Sequence, residues 1–174
     1  MDQAAALLHL NLGGELALAI YVFPLVMASI TDWRSLRIPN WLTATLALAF
    51  PVAALLGGQP VDWLSHIEAG VLVFVGSAVL FALRIMGGGD VKLLAAVALW
   101  LGLGQLLSFL TLTALVGGGF AFLVLMLRHP LVQTTLLATL RRLPAFADKK
   151  MPIPYGIPIA VAALLMAPVL PIFA

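Results

Sequence analysis

Two aspartates are the residues best placed to do chemistry in a chain of 174 residues that is only 9% charged. Asp90 follows three glycines, Gly87, Gly88 and Gly89, and precedes Val91 and Lys92 at the mouth of a long apolar run. Asp32 closes an earlier apolar run, in Ile30-Thr31-Asp32-Trp33-Arg34. A carboxylate beside a bilayer is costly and by default marks a functional site. Glycine lets backbone approach a substrate or another helix where a side chain would exclude it. If the fold brings Asp32 and Asp90 together, they form an acid/base pair. Two close carboxylates do not both ionise easily, so they share one proton. The ionised member can activate a water, while the protonated one polarises a carbonyl and later protonates a leaving amine. No cofactor is required and no metal is expected. Plainer roles stand beside this one. Asp90, followed by Val-Lys-Leu-Leu-Ala-Ala, has the form of a helix N-cap. Asp32 can pair with Arg34 or Arg37, and the glycines can serve helix packing alone.

The elements that must position these residues are membrane helices. The chain is 63% hydrophobic, with a mean hydropathy of +1.15, whereas a soluble domain is about 45–50% apolar and about 25% charged. The reading is all-α: a polytopic membrane helix bundle forming one domain over 1–174, with the lipid bilayer as its surroundings and no nucleic-acid partner. Apolar runs between polar or Gly/Pro breaks predict six transmembrane helices, at 15–31, 41–57, 67–84, 91–103, 106–127 and 153–172. Arg34 and Arg37 lie between helices 1 and 2, and Arg84 and Lys92 flank the 3–4 connection. Arg128, Arg141, Arg142, Lys149 and Lys150 lie between helices 5 and 6. These are all 9 Lys and Arg of the chain. Six alternating spans put every one on one side, which the positive-inside rule makes cytoplasmic. Both termini then face outward, to the periplasm. Asp2 and Glu15 stand where a signal peptide would be basic, so none is expected.

Helix 4 is predicted to be short. From 91 to 103 it spans about 20 Å, against a hydrocarbon core of about 30 Å. Either it runs on through Gly104 or it starts below the cytoplasmic surface. In the second case the glycines and Asp90 border a small wet cleft, because irregular backbone at that depth must be buried or line water. Asp148 neighbours Lys149 and Lys150 and reads as a solvated charge, which leaves Asp32 and Asp90 as the acids of interest on that side. Helix 1 contains Pro24. Trp33 and Trp41 suit the interface. Ile38-Pro39-Asn40 reads as a stop and restart, with Asn40 able to cap helix 2. His66 and Glu68 read as solvated interface polarity. Gly117-Gly118-Gly119 would permit close helix packing. Val132, Leu136, Leu140 and Leu143 form a stripe expected on a helix lying along the inner leaflet. Met151 to Pro158 is stiff and opens helix 6. Cysteine is absent, which excludes disulfides and thiolate metal sites.

Gly87-Gly88-Gly89-Asp90 fits the G-x-G-D motif of membrane aspartic proteases. The longer Gly-Gly-Asp-Val-Lys-Leu-Leu run, with Asp32 upstream and Arg37-Ile38-Pro39-Asn40 after it, resembles the type IV prepilin peptidase family. Pro154-Tyr155-Gly156 is similar to that family's late turn. The resemblance implies an endopeptidase of the bacterial inner membrane that removes the leader peptides of prepilins and pseudopilins at the cytoplasmic face. It further implies a water held between catalytic Asp32 and Asp90, with Gly87, Gly89 and Lys92 shaping the site. Larger members carry an insertion between helices 1 and 2, often with cysteine-bound zinc, and N-methylate the product. Here that loop is only Asp32 to Asn40. The chain therefore resembles the short type of Flp or tight-adherence pili, for which neither zinc nor methyl transfer is expected. Two other classes of function compete. One is a small proton-coupled transporter or channel, since intramembrane acids also mark ion paths. The other is a non-catalytic component of pilus or secretion assembly.

Overall fold

In the computed structural model the chain is described over residues 3–57, 60–132 and 151–170, with side chains from Gly14 onward. Helix α1 is Gln3–Ser35, α2 Asn40–Gly57, α3 Trp63–Ala82, α4 Gly88–Leu127 and α5 Gly156–Leu165, followed by a 3-10 turn at Ala167–Val169. No strand occurs among the described residues. Segments of three helices, Gly14–Ser35, Trp63–Ala82 and Gly88–Leu127, are long and apolar enough to cross a membrane, and Asn40–Leu56 and Gly156–Leu165 are apolar but shorter. The outer faces are those of a protein surrounded by lipid. Leu48, Leu55 and Leu107 are 73%, 77% and 77% exposed, a density of bare leucine that a water-soluble surface rarely carries.

The 40 residues of α4 are not one rod. A straight helix of that length would be about 60 Å long, twice the hydrocarbon core. Gly102 breaks it, with φ 70° and ψ 176°, a left-handed φ that only glycine adopts without strain. The limbs 88–101 and 103–127 double back on each other. Met86 and Gly118 accordingly border one cavity of ≈ 710 Å³, whereas a straight helix would separate them by roughly 48 Å. The sequence reading placed this reversal at 104–105. It occurs earlier and without a loop, because Gly102 alone absorbs the turn.

Two side chains of α3 seal the break. The backbone N–H of Leu103 donates to Ser65 Oγ at 3.0 Å, and His66 Nδ1 lies 2.8 Å from the Leu99 carbonyl. A carbonyl only accepts, so Nδ1 carries the hydrogen. This corrects the reading of His66 as solvated polarity. It is 3% exposed and holds backbone that Gly102 leaves without a helical partner. Glu68 is exposed.

The core centres on Trp100, whose indole N–H donates to the Leu46 carbonyl of α2 at 2.8 Å. Its ring packs on Tyr21 of α1 at 4.9 Å between centroids. The Tyr21 hydroxyl in turn donates to the Ala163 carbonyl of α5 at 3.0 Å. The first limb of α4 is thus tied to α1, α2 and α5 by buried aromatics whose polar tips are satisfied. The triple glycine does less than expected. Gly117 has ordinary van der Waals room beside Tyr155, and Gly118 and Gly119 face open space. Leu136, Leu140 and Leu143 of the apolar stripe lie outside the described residues, as do Arg141, Arg142, Asp148, Lys149 and Lys150.

Candidate active site

Asp32 sits in the last turn of α1. The helix stops where Leu36 turns to φ 54° and its N–H donates to the Asp32 carbonyl at 2.9 Å, the left-handed stop usual at helix C-termini. The chain then dives inward, burying Ile38, before Asn40 opens α2. Asp32 is only 5% exposed. Its Oδ2 accepts a hydrogen bond from the backbone N–H of Gly156 at 2.8 Å. Position 156 must be glycine for that approach, since a Cβ there would stand 2.8 Å from Asp32 Oδ2 and 2.6 Å from Ile38 Cδ1.

Asp90 is not the N-cap of α4. Gly87 is, with extended backbone, and Asp90 is the third helical residue. From there its carboxylate reaches back to the Gly87 N–H, the carboxylate half of a capping box. A Cβ on Gly87 would lie 2.8 Å from Asp90 Oδ2. The positive end of the helix dipole points at the carboxylate.

The two aspartates line one cavity of ≈ 790 Å³ at the shared end of α1, α4 and α5, and they are close enough to interact electrostatically. Each is held by the backbone of a glycine that a side chain would displace. Such a pair, in a cavity also lined by Phe81, Ile85 and Met86, can hold a water and a peptide carbonyl between acid and base. Among the described residues no group of three metal-ligating side chains exists.

The remaining expected site residues separate. Gly87 lines the cavity. Gly89 lies behind it, where a Cβ would touch Ile38 Cβ at 3.0 Å. Lys92 points away and donates from Nζ to Asn40 Oδ1 at 2.8 Å, bordering a different cavity. Asn40 thus uses its side chain on Lys92. Arg84, Phe81 and Tyr155 also line the aspartate cavity. Tyr155 lies in the Pro-Tyr-Gly segment already singled out in the sequence, whereas Arg84 and Phe81 carry no local signal. Ile38 is the wedge that Gly89 and Gly156 both accommodate, and its importance shows only once the three meet.

No curated protein and no solved structure matches the chain significantly. A family model, that of the type IV leader peptidase family, matches residues 19–122, a stretch holding both aspartates but ending before Tyr155 and Gly156. With that match over more than half its length, the chain belongs to the type IV leader peptidase family.

Proposed function

We propose that this membrane peptidase is an aspartic endopeptidase whose catalytic pair is Asp32 and Asp90. The observation that carries the reading is the convergence of two carboxylates, each held by a glycine N–H, on a single cavity at one end of the bundle. In this reading the ionised carboxylate takes a proton from a water lying between the two. The hydroxide equivalent adds to the scissile carbonyl as the protonated carboxyl donates a hydrogen bond to its oxygen. Collapse of the tetrahedral adduct breaks the C–N bond, and the proton passes to the leaving amine. Gly87 keeps the approach to the pair free of a side chain, and Gly89 makes room behind the cavity for Ile38. Lys92 stands on the far face of α4, bonded to Asn40 and outside the aspartate cavity.

The substrates are prepilin leader peptides, of the Flp type by the short loop between Asp32 and Asn40. The six spans expected from hydropathy, with every Lys and Arg on one side, support a multi-pass protein of the inner membrane, with the cavity at the cytoplasmic face. The short loop and the absence of cysteine support cleavage without zinc and without methyl transfer. The test is to incubate the purified protein with a Flp-type prepilin and weigh the products. A mature chain that lacks the leader and carries no extra methyl is expected. Uncleaved prepilin under conditions where the protein is folded would end the proposal.

A further inference from the structure

On the face of α4 away from the aspartates, a groove of ≈ 560 Å³ runs between α2, α3 and the first limb of α4. It shares no lining residue with the aspartate cavity, so the two are separate sites. Its floor is small and apolar, with Ala44, Ala47, Gly70 and Ala95, and Phe74 and Leu99 form walls. Flanking Ile67 and Val71 are 51% and 57% exposed, so the groove opens sideways onto lipid. Polarity is confined to one end. There Lys92 gives one hydrogen bond to Asn40 Oδ1, which leaves two of its three ammonium donors. No carboxylate pairs with it among the described residues.

We infer that this groove holds one anionic phospholipid, its acyl chain over the alanine floor and its headgroup phosphate on Lys92. The shape is that of an amphiphile: a trough of about 10 Å from Lys92 to Leu99, ending in a single cation. Basic pockets between membrane helices on the cytoplasmic side bind anionic headgroups for this reason. An acyl chain needs no hydrogen-bond partners. An extended peptide would leave its backbone unsatisfied along the alanine floor, which costs free energy in an apolar setting. The lysine stem lies along the apolar wall while its charge reaches the interface. The inference rests on the membrane placement proposed above, with Lys92, two residues past Asp90, at headgroup depth.

Native mass spectrometry of the detergent-purified protein with equal amounts of dioleoyl phosphatidylglycerol and dioleoyl phosphatidylethanolamine tests it. One retained phosphatidylglycerol is expected, favoured about fivefold, the worth of a single ammonium near an anionic headgroup. Lys92→Arg keeps the preference, Lys92→Gln abolishes it, and Ala44→Phe, which fills the trough from an exposed position of α2, lowers retention of both lipids. Equal retention of the two lipids by the unmodified protein, or an unchanged preference in Lys92→Gln, overturns the site. So does a photocrosslinker at position 44 that captures a prepilin peptide in place of lipid. Retention is read without any cleavage, so a protein that keeps the lipid but cuts no prepilin would spare this site and remove only the peptidase mechanism.

Discussion

The backbone N–H of Gly156 donates to the carboxylate of Asp32 at 2.8 Å, joining residues 124 positions apart. This bond makes the start of α5 part of the site through its backbone. Gly156→Ala forces a methyl against both Asp32 Oδ2 and Ile38 Cδ1. Overpacking of this kind costs about 1–3 kcal/mol, and moving a reacting group by about 1 Å costs about a hundredfold in rate. The two effects separate. Ile38→Val removes the methyl that Gly156→Ala strikes, so the double variant is expected to recover melting temperature while its cleavage rate stays low. Recovery of both would mean that the Asp32 contact has no part in activity.

Asn in place of either aspartate keeps a side-chain oxygen that accepts from Gly156 or Gly87, so both variants are expected to fold. Removal of an acid/base group lowers rate by about 10²–10⁴-fold. Because the pair acts as one unit, Asp32→Asn/Asp90→Asn together should lose little more than either alone. Cleavage rates by mass spectrometry, beside thermal melting followed by circular dichroism, check this. Multiplicative losses would show the two carboxylates working independently.

Much of this site was legible in the sequence, because its logic is local on each side. The run Gly87 to Lys92 opens a helix, and Asp32 closes one. Both are readable from hydropathy and glycine, and the positive-inside count puts the two ends on one side. The details that were not legible depend on contacts between distant segments. His66 looked solvated because its partner, the Leu99 carbonyl, is freed only by a kink at Gly102. Nothing local distinguishes Gly102 from Gly104, which has open space around it. Asp90 looked like a cap because three glycines hide which of them begins the helix. Lys92 is only two residues past Asp90, and on a helix that spacing points it to another face.

Among the described residues two non-glycines adopt left-handed backbone, Leu36 at φ 54° and Arg84 at φ 60°, and both line the aspartate cavity. Left-handed backbone costs about 1–2 kcal/mol for a residue with a Cβ, and strain of this kind gathers at functional sites. Leu36→Gly relieves it at an unfolded-state cost of roughly 0.5–1 kcal/mol, so stability is expected to stay level or rise by up to about 1.5 kcal/mol. Leu36→Val puts a branched Cβ where φ is positive and is expected to destabilise by more than about 1 kcal/mol. Denaturant melts in one detergent decide the sign. A loss of stability in Leu36→Gly would mean that packing of the leucine side chain outweighs the backbone strain.

The reversal at Gly102 is open to a direct ruler. The chain contains no cysteine, so spin labels on cysteines placed at Lys92 and Met126 report one distance. A continuous helix would set them roughly 51 Å apart. The doubled limbs require them near the same end of the bundle, far below that value. Gly102→Ala meets a left-handed φ and places a Cβ 3.2 Å from Ser65 Oγ, so a loss of about 2 kcal/mol is expected. His66→Phe preserves an aromatic ring beside Phe50, which sits 4.9 Å away between centroids, but leaves the Leu99 carbonyl unpaired at a cost of about 1–3 kcal/mol. Both variants loosen the limb that carries Asp90 at its far end. Stability is therefore expected to fall first, with cleavage by the folded fraction reduced less than in Gly156→Ala. A long label distance in the unmodified protein would remove the hairpin and, with it, the common end at which Arg128 of the second limb donates to the Met151 carbonyl at 2.7 Å.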